Sequence, residues 1–118
     1  MCAVDPASGT RSYSATAYYL RCASRPNLVV LTKALVEEVI LDEVDGEWVA
    51  KGVRFRHGAS EHVVSVAREV ILSAGSVQSP QLLELSGIGN PSILSDAGVP
   101  VKANNPNVGE NLQEHMSE

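Results

Sequence analysis

A glycine-bearing segment that follows a short apolar run is the part of this sequence best suited to hold a cofactor. The apolar run occupies residues 70–74, and the segment after it runs from Gly75 to Gly89. Where a strand meets a helix at a glycine, the backbone can approach a ligand closely, because no Cβ intervenes. This stretch therefore predicts a strand, a turn and a helix arranged for cofactor binding.

Histidine is the other residue type that could do acid–base chemistry near neutral pH. His57 lies beside Gly58 in a predicted turn, and His62 lies in a predicted strand. General base catalysis needs a base positioned near the proton that it removes. Neither histidine has a candidate base or nucleophile partner nearby in the sequence, so no catalytic residue is predicted here.

The two cysteines offer no metal site. Cys2 and Cys22 lack the paired spacing that metal-binding cysteines show. We expect two unpaired thiols, and the alternative is a disulfide between them.

Composition limits the class of protein and its partners. The chain has 118 residues, of which 44% are hydrophobic and 19% charged, with a formal net charge of −5. These values are typical of one small globular domain. The acidic balance argues against nucleic acid or an anionic membrane as the main partner. No apolar run approaches the ~18 residues of a membrane span, and no signal peptide is visible at the start.

Three segments in the middle of the chain predict an antiparallel meander. Residues 35–44 are rich in strand-forming side chains, and Asp45-Gly46 is a strong hairpin signal. Residues 48–56 alternate after that turn, and residues 61–66 alternate after a second turn at 58–60. The face that carries Arg54 and Arg56 is expected to lie in water.

Two helices are predicted in the second half, each closed by a glycine. Ser79 suits the N-cap of the first, with Pro80 at the first helical position and Gly87 just beyond its end. Asn90 and Gly98 bound the second helix in the same way. An earlier helix is expected from Ala15 to Cys22.

Two continuous apolar runs, residues 28–31 and 70–73, predict strands buried on both faces. With the helices and the meander, they predict an α/β fold. A doubly wound sheet needs several parallel strands and covering helices. The chain therefore predicts only part of a Rossmann-like sheet, with a three-stranded antiparallel meander inserted in it.

Residues 75–89 resemble the second signature of the glucose–methanol–choline (GMC) family of FAD-dependent oxidoreductases. The elements that carry the resemblance are Gly75-Ser76, Ser79-Pro80, Leu82-Leu83 and Ser86-Gly87-Ile88-Gly89. Further blocks follow in family order over nearly the whole chain. They are residues 9–12, 17–20, 25–28, 33–36, 52–53, 68–75, 98–101 and 108–115. Residues 104–107 depart from the acidic–Leu–Pro–Gly pattern that is usual in the family before Val108.

The resemblance implies an FAD/NAD(P)-binding, Rossmann-like domain in an enzyme that oxidises alcohols or sugars. Val36 matches the family position whose backbone contacts the adenine ring of FAD, and its alternative is a plain strand valine. Ala74 and Gly75 match the strand-to-turn junction near the ADP part of the flavin. For Gly75 the alternative is a simple turn glycine. Ser79, Ser86 and Gly87, by contrast, are expected to serve as structural helix caps.

Two family features are absent from this sequence. One is the Gly-x-Gly-x-x-Gly turn that holds the FAD pyrophosphate at a helix N-terminus. The other is the C-terminal pair, a histidine with a second histidine or an asparagine, that acts on the substrate alcohol. Asn111 and His115 match a segment near the flavin, where His115 is not the family's catalytic histidine and is expected to form structural hydrogen bonds.

We therefore expect residues 1–118 to be the central part of a GMC FAD-binding (N-terminal) domain, incomplete at both ends. FAD and a small alcohol or sugar are the partners implied for the intact enzyme, and this chain alone is expected to be inactive. The alternative is a non-catalytic interaction or regulatory protein that reuses the flavoenzyme scaffold. That alternative requires a self-sufficient core in which the two buried strands have covered edges.

Overall fold

The computed structural model describes residues 3–114, which form two units, residues 3–32 and 33–114. In the first unit, a loop is closed by a bridge between Val4 and Arg11. Within that loop the Ala7 N–H donates to the Asp5 carboxylate, which lowers the pKa of Asp5. A π-helical turn, Ala15–Tyr19, continues into α1, Leu20–Cys22, so the predicted first helix is confirmed. Cys22 is half-buried, and Cys2 lies outside the described residues.

The predicted buried strand at residues 28–31 is wrong. These residues form no strand, and Val29 is 86% exposed. An apolar run favours extended backbone, but a strand forms only when a second backbone accepts its hydrogen bonds. No residue in the described part of the chain does so here.

The strand predicted at residues 70–73 is also not formed. Val70 and Leu72 pack against the core, whereas Ile71 between them is 76% exposed. This alternation is what an extended chain gives when one of its faces is packed. The segment is therefore extended and half-packed, but no neighbouring strand pairs with it among residues 3–114.

The predicted meander is confirmed in the second unit. β1 (Ala34–Val44), β2 (Glu47–His57) and β3 (Ser60–Ser65) pair antiparallel in that order. Asp45 and Gly46 join β1 to β2 with φ values of 53° and 83°. Two successive left-handed residues are the mark of a tight two-residue hairpin turn, because their twist matches that of the flanking strands.

Two bulges interrupt the meander. Glu37 is an extra residue on β1, and Lys51 is an extra residue on β2. Beside the second bulge, a Cβ on Gly52 would lie 2.7 Å from the Val64 carbonyl oxygen, so the backbones of β2 and β3 approach closely there. A bulge shifts which side chains share a face, and the strict alternation expected along β2 is broken for this reason.

The start of the second helix differs from the prediction. α2 spans Gly75–Leu85, so Pro80 lies inside the helix and Ser79 is not its N-cap. The Ser79 hydroxyl instead accepts a hydrogen bond from the Ala74 N–H at 3.0 Å, which satisfies a donor just before the helix. Pro80 lacks an N–H and so removes the bond to the Ser76 carbonyl, but the helix continues through it.

The other boundaries predicted for α2 and for the helix after it are confirmed. Gly87 follows α2 with φ +89°, and Gly98 follows α3 (Pro91–Asp96) with φ +71°. Asn90 caps α3 by accepting the Ser92 N–H at 3.0 Å. These are the left-handed and N-cap positions that glycine and asparagine favour.

The core of the second unit lies between β1 and α2. Its main cluster consists of the buried residues Val39, Leu41 and Leu82, against which Ala50, Ile88 and the extended segment 70–73 pack. Leu94 and Val108 are buried elsewhere in the same unit. A short parallel pair not predicted from the sequence, β4 (Ile88–Gly89) with β5 (Ala103–Asn104), lies next in the chain. Among residues 3–114, no helix is both long enough and apolar enough to cross a membrane.

Candidate functional site

A cleft of about 580 Å³ lies between the beginning of β1 and one face of α2. Residues 34–37 of β1 form one wall, and Ala74 lies where the chain enters α2. The other wall comes from α2 residues at helical spacing, which are Gln78, Gln81, Leu82 and Leu85. The volume is in the range of small-molecule sites, and most of the lining is apolar.

Two of the three residues predicted to bind the cofactor line this cleft. Val36 contributes to the β1 wall and Ala74 to the entrance of α2. Gly75 follows Ala74 directly but is not itself a lining residue. Its φ is +92°, and a Cβ built on it would meet nothing within 4 Å. The backbone conformation therefore favours glycine at this position, and no atom crowds the site of a Cβ.

The wall formed by β1 is an open strand edge. β1 pairs only with β2 in its sheet, so its other side has no neighbouring strand in the described part of the chain. Backbone N–H and C=O groups along such an edge can bind a ligand. Of the groups on this edge, the Val39 N–H is taken up by a side chain, because it donates to the Ser86 hydroxyl at 2.8 Å.

Ser86 holds the two walls of the cleft together. It is 1% exposed, and its hydroxyl also donates to the Leu82 carbonyl oxygen at 2.6 Å. One side chain therefore joins the last turn of α2 to the edge of β1. The sequence identified Ser86 as a structural residue at the helix end, but nothing in the local pattern revealed its partner on β1.

Charged side chains gather at the β1 bulge. Glu37 forms an ion pair with Arg56 across the strands, and Glu38 lies 3.3 Å from the Arg54 guanidinium. The Lys102 amine is 3.5 Å from the other oxygen of Glu38. Glu37 is the charged member of the cleft lining. Arg54 and Arg56 were expected to face water, and their acidic partners were not predicted. Acidic and basic residues on opposite strands of a hairpin could have indicated these ion pairs.

A second, smaller cleft of about 380 Å³ lies on the other side of α2. Its lining joins α2 residues to Gly109, Glu110 and Leu112 of the tail. Asn111 has φ +56°, and its side-chain oxygen accepts from the Gln113 amide at 3.3 Å. Asn111 is not a lining residue of either α2 cleft, and His115 lies outside the described residues.

The two described histidines lie on the meander, where His57 pairs with Ala34, a lining residue of the first cleft. The His62 ring stacks on Phe55 with a centroid separation of 5.3 Å, and it lies 6.5 Å from the His57 ring. Neither histidine lines the cleft. Within residues 3–114, the cleft can therefore bind and orient a ligand, but it contains no histidine to move a proton.

The lining of the cleft has features that suit a flat aromatic base. A flat base needs apolar walls and an edge of hydrogen-bonding groups, and the cleft combines Leu35 and Leu82 with the free backbone edge of β1.

Comparison with known proteins gives one consistent family. The profile described as GMC oxidoreductase matches residues 1–117. A dehydrogenase of Monascus purpureus, mpl7, is 56% identical over 106 residues, which cover 89% of this chain and 17% of that protein. An oxygen-dependent choline dehydrogenase of Cronobacter sakazakii is 40% identical over 110 residues, covering 92% of this chain and 19% of that protein.

A solved structure is similar as well. It is an FAD-dependent oxidoreductase from Chaetomium thermophilum, which superposes with a TM-score of 0.77 at 32% identity. The match covers 87% of this chain and 17% of that protein, so the chain spans less than a fifth of the length of its relatives. The family match confirms the predicted cofactor, FAD, and supports the Rossmann-like FAD-binding domain expected from the sequence. The chain belongs to the GMC family of FAD-dependent oxidoreductases.

Proposed function

We propose that this chain is the adenine-binding part of an FAD enzyme that oxidises the CH–OH groups of alcohols or sugars. In this proposal it forms the central portion of the FAD-binding domain, incomplete at both ends. The observation that supports it best is that Val36 and Ala74, far apart in sequence, line one cleft. The family match supports an oxidoreductase, and the relative named as a choline dehydrogenase supports an alcohol as substrate.

The residues of the cleft would bind the cofactor and orient it. The β1 edge at Val36 would form hydrogen bonds with the rim of the adenine, while Leu35 and Leu82 would pack against its faces. Ala74 and Gly75 would let the backbone lie close to the ADP part, because one side chain is small and the other is absent. FAD, when bound, supplies the hydride acceptor, and the chain's contribution is placement.

In this proposal the chain does not catalyse the reaction by itself. No histidine lines the cleft among residues 3–114, and the carboxylate present there, Glu37, is ion-paired with Arg56. A base positioned at the substrate is needed for alcohol oxidation. The groups that act on the alcohol would come from parts of the enzyme outside this sequence.

The exposed apolar runs favour this proposal over a self-sufficient interaction protein. Val29 is 86% exposed and Ile71 is 76% exposed, and neither run has a pairing strand in the described residues. A protein that functions alone would be expected to cover such segments, since open apolar edges promote aggregation. Strand partners supplied by further FAD-domain sequence would cover them.

Binding of FAD to the chain tests the proposal. The chain is titrated with FAD and, separately, with FMN, which lacks the adenylate half, and binding is followed by flavin fluorescence and ligand-observed NMR. The proposal predicts binding of FAD that FMN does not reproduce. A soluble monomer that unfolds cooperatively and has no affinity for FAD would instead support the interaction protein.

A further inference from the structure

The cleft between β1 and α2 contains one charged side chain, and the position of this side chain is unusual. Glu37 is the extra residue of the β1 bulge, directly after Val36. Its side chain is 25% exposed and lines the cleft. A bulge changes the direction of a side chain relative to that in a regular strand, and bulges are common beside binding sites.

Only one oxygen of the Glu37 carboxylate has a hydrogen-bond partner among the described residues. Arg56, on the neighbouring strand, donates to Oε1 of Glu37. Among the described residues, no hydrogen bond is made to the other oxygen, Oε2. An ionised carboxylate can accept several hydrogen bonds, so Glu37 keeps acceptor capacity for a ligand donor.

Resting on the proposed function, we infer that Glu37 selects the 6-amino group of the adenine of FAD and that Arg56 positions the carboxylate for this contact. The amino group is a donor with no accepting role, so an ionised carboxylate suits it. The pyrophosphate of FAD is anionic and is repelled by the same carboxylate. Glu37 thereby also sets the direction of the ligand, with the base toward the bulge and the phosphates away from it.

The inference predicts discrimination between two forms of the same cofactor. In 1,N6-etheno-FAD the 6-amino group is closed into a ring and donates no hydrogen bond. A site that accepts such a bond binds the analogue that lacks it less tightly, because the bond from the ligand to Glu37 is not formed. We expect the chain to bind FAD about tenfold more tightly than etheno-FAD.

The test compares dissociation constants for FAD and etheno-FAD, measured by saturation transfer to ligand protons. The variants are Glu37→Leu, which removes the acceptor, and Glu43→Leu, which removes an exposed carboxylate from the same strand. We expect Glu37→Leu to lower the ratio of the two affinities and Glu43→Leu to keep it at about tenfold. Arg56→Gln should lower the ratio and Arg56→Lys should restore part of it, which a merely structural arginine would not do. Circular dichroism confirms that each variant keeps its meander.

The outcomes separate this inference from the proposed function. If FAD binds but Glu37→Leu retains the wild-type ratio, the role of Glu37 is wrong while FAD binding stands. If the wild-type chain binds neither ligand, the proposed function is itself contradicted, and the inference with it.

Discussion

The hydroxyl of Ser86 accepts the backbone N–H of Val39 at 2.8 Å, and this bond joins the two walls of the cleft. Val39 is 4% exposed on β1, and Ser86 is 1% exposed at the end of α2. A buried N–H without a partner is costly, so the bond fixes where the helix end lies along the strand. The cleft owes its shape to this contact as well as to the packing of Leu82 beneath it.

Removal of the Ser86 hydroxyl should destabilise the chain. The Leu82 carbonyl also accepts the Ser86 N–H at 3.1 Å, so in Ser86→Ala it is the Val39 N–H that loses its partner. We expect a loss of about 1–3 kcal/mol in the free energy of unfolding, measured by urea denaturation. Ser92→Ala, at an exposed position in α3, is the matched control and should change stability by less than about 0.5 kcal/mol. Equal effects of the two substitutions would contradict this role of Ser86.

Two helix-terminating glycines should differ in their tolerance of alanine. Both have left-handed backbones, but a Cβ on Gly87 would lie 2.6 Å from the Pro100 carbonyl oxygen, whereas one on Gly98 meets nothing within 4 Å. Gly98→Ala should cost about 1–2 kcal/mol through backbone strain alone. Gly87→Ala should cost about 1–3 kcal/mol more because of the clash. Thermal or urea unfolding measures both, and similar losses would be inconsistent with the close approach of Gly87 to Pro100.

Gly75 should affect the cofactor more than the fold. Gly75 and Gly98 both have φ between +70° and +95° and both have free space beside the Cα. Gly75→Ala and Gly98→Ala should therefore have the same cost in stability, about 1–2 kcal/mol. Only Gly75→Ala should weaken FAD binding, because its methyl group enters the space proposed for the ADP part. Unchanged FAD affinity in Gly75→Ala would favour the simple turn glycine.

The chain alone should not transfer hydride from an alcohol. The test mixes the chain, FAD and a series of simple alcohols and sugars without oxygen and follows the flavin absorbance. We expect the absorbance to remain that of oxidised flavin. The reason is that His57 and His62 lie on the meander, and Glu37 in the cleft is ion-paired with Arg56. Bleaching of the flavin that depends on both alcohol and protein would refute this prediction.

The elements predicted correctly are those whose signals are local. Asp45-Gly46 determines the first hairpin because two left-handed residues match the twist of the flanking strands. Asn90 begins its helix, and Gly87 and Gly98 end theirs, by hydrogen bonds within a few residues. Each of these features depends on neighbours in the sequence, and so it could be predicted from the sequence.

The incorrect predictions depend on distant partners. Residues 28–31 and 70–73 have the composition of strands, but no strand pairs with either among residues 3–114. The sequence predicts that Ser79 caps a helix beginning after it, whereas the helix begins earlier, at Gly75. Ser79 therefore lies inside the helix, and its hydroxyl accepts the N–H of Ala74. The choice between these arrangements depends on the backbone before the helix, which the Ser-Pro pattern does not describe.

The site was only partly predictable. Val36, Ala74 and Gly75 came from resemblance to a family, and the structure places the first two in one cleft. The bond from Val39 to Ser86 joins residues 47 positions apart, so no local pattern contains it. The bulge at Glu37 shifts the register by one residue, which brings Glu38 rather than Glu37 opposite Arg54. A hairpin drawn without bulges would pair the charges differently.

In the proposed function, the cleft between β1 and α2 binds the adenine half of FAD. Saturation transfer from the chain to FAD tests it most directly, because the adenine and flavin protons are resolved separately. We expect strong transfer to the adenine protons. Ala74→Leu, at the cleft entrance, should abolish this transfer, whereas Ala97→Leu, at an exposed position after α3, should leave it unchanged. Transfer confined to the flavin ring, or adenine transfer that survives in Ala74→Leu, would contradict it.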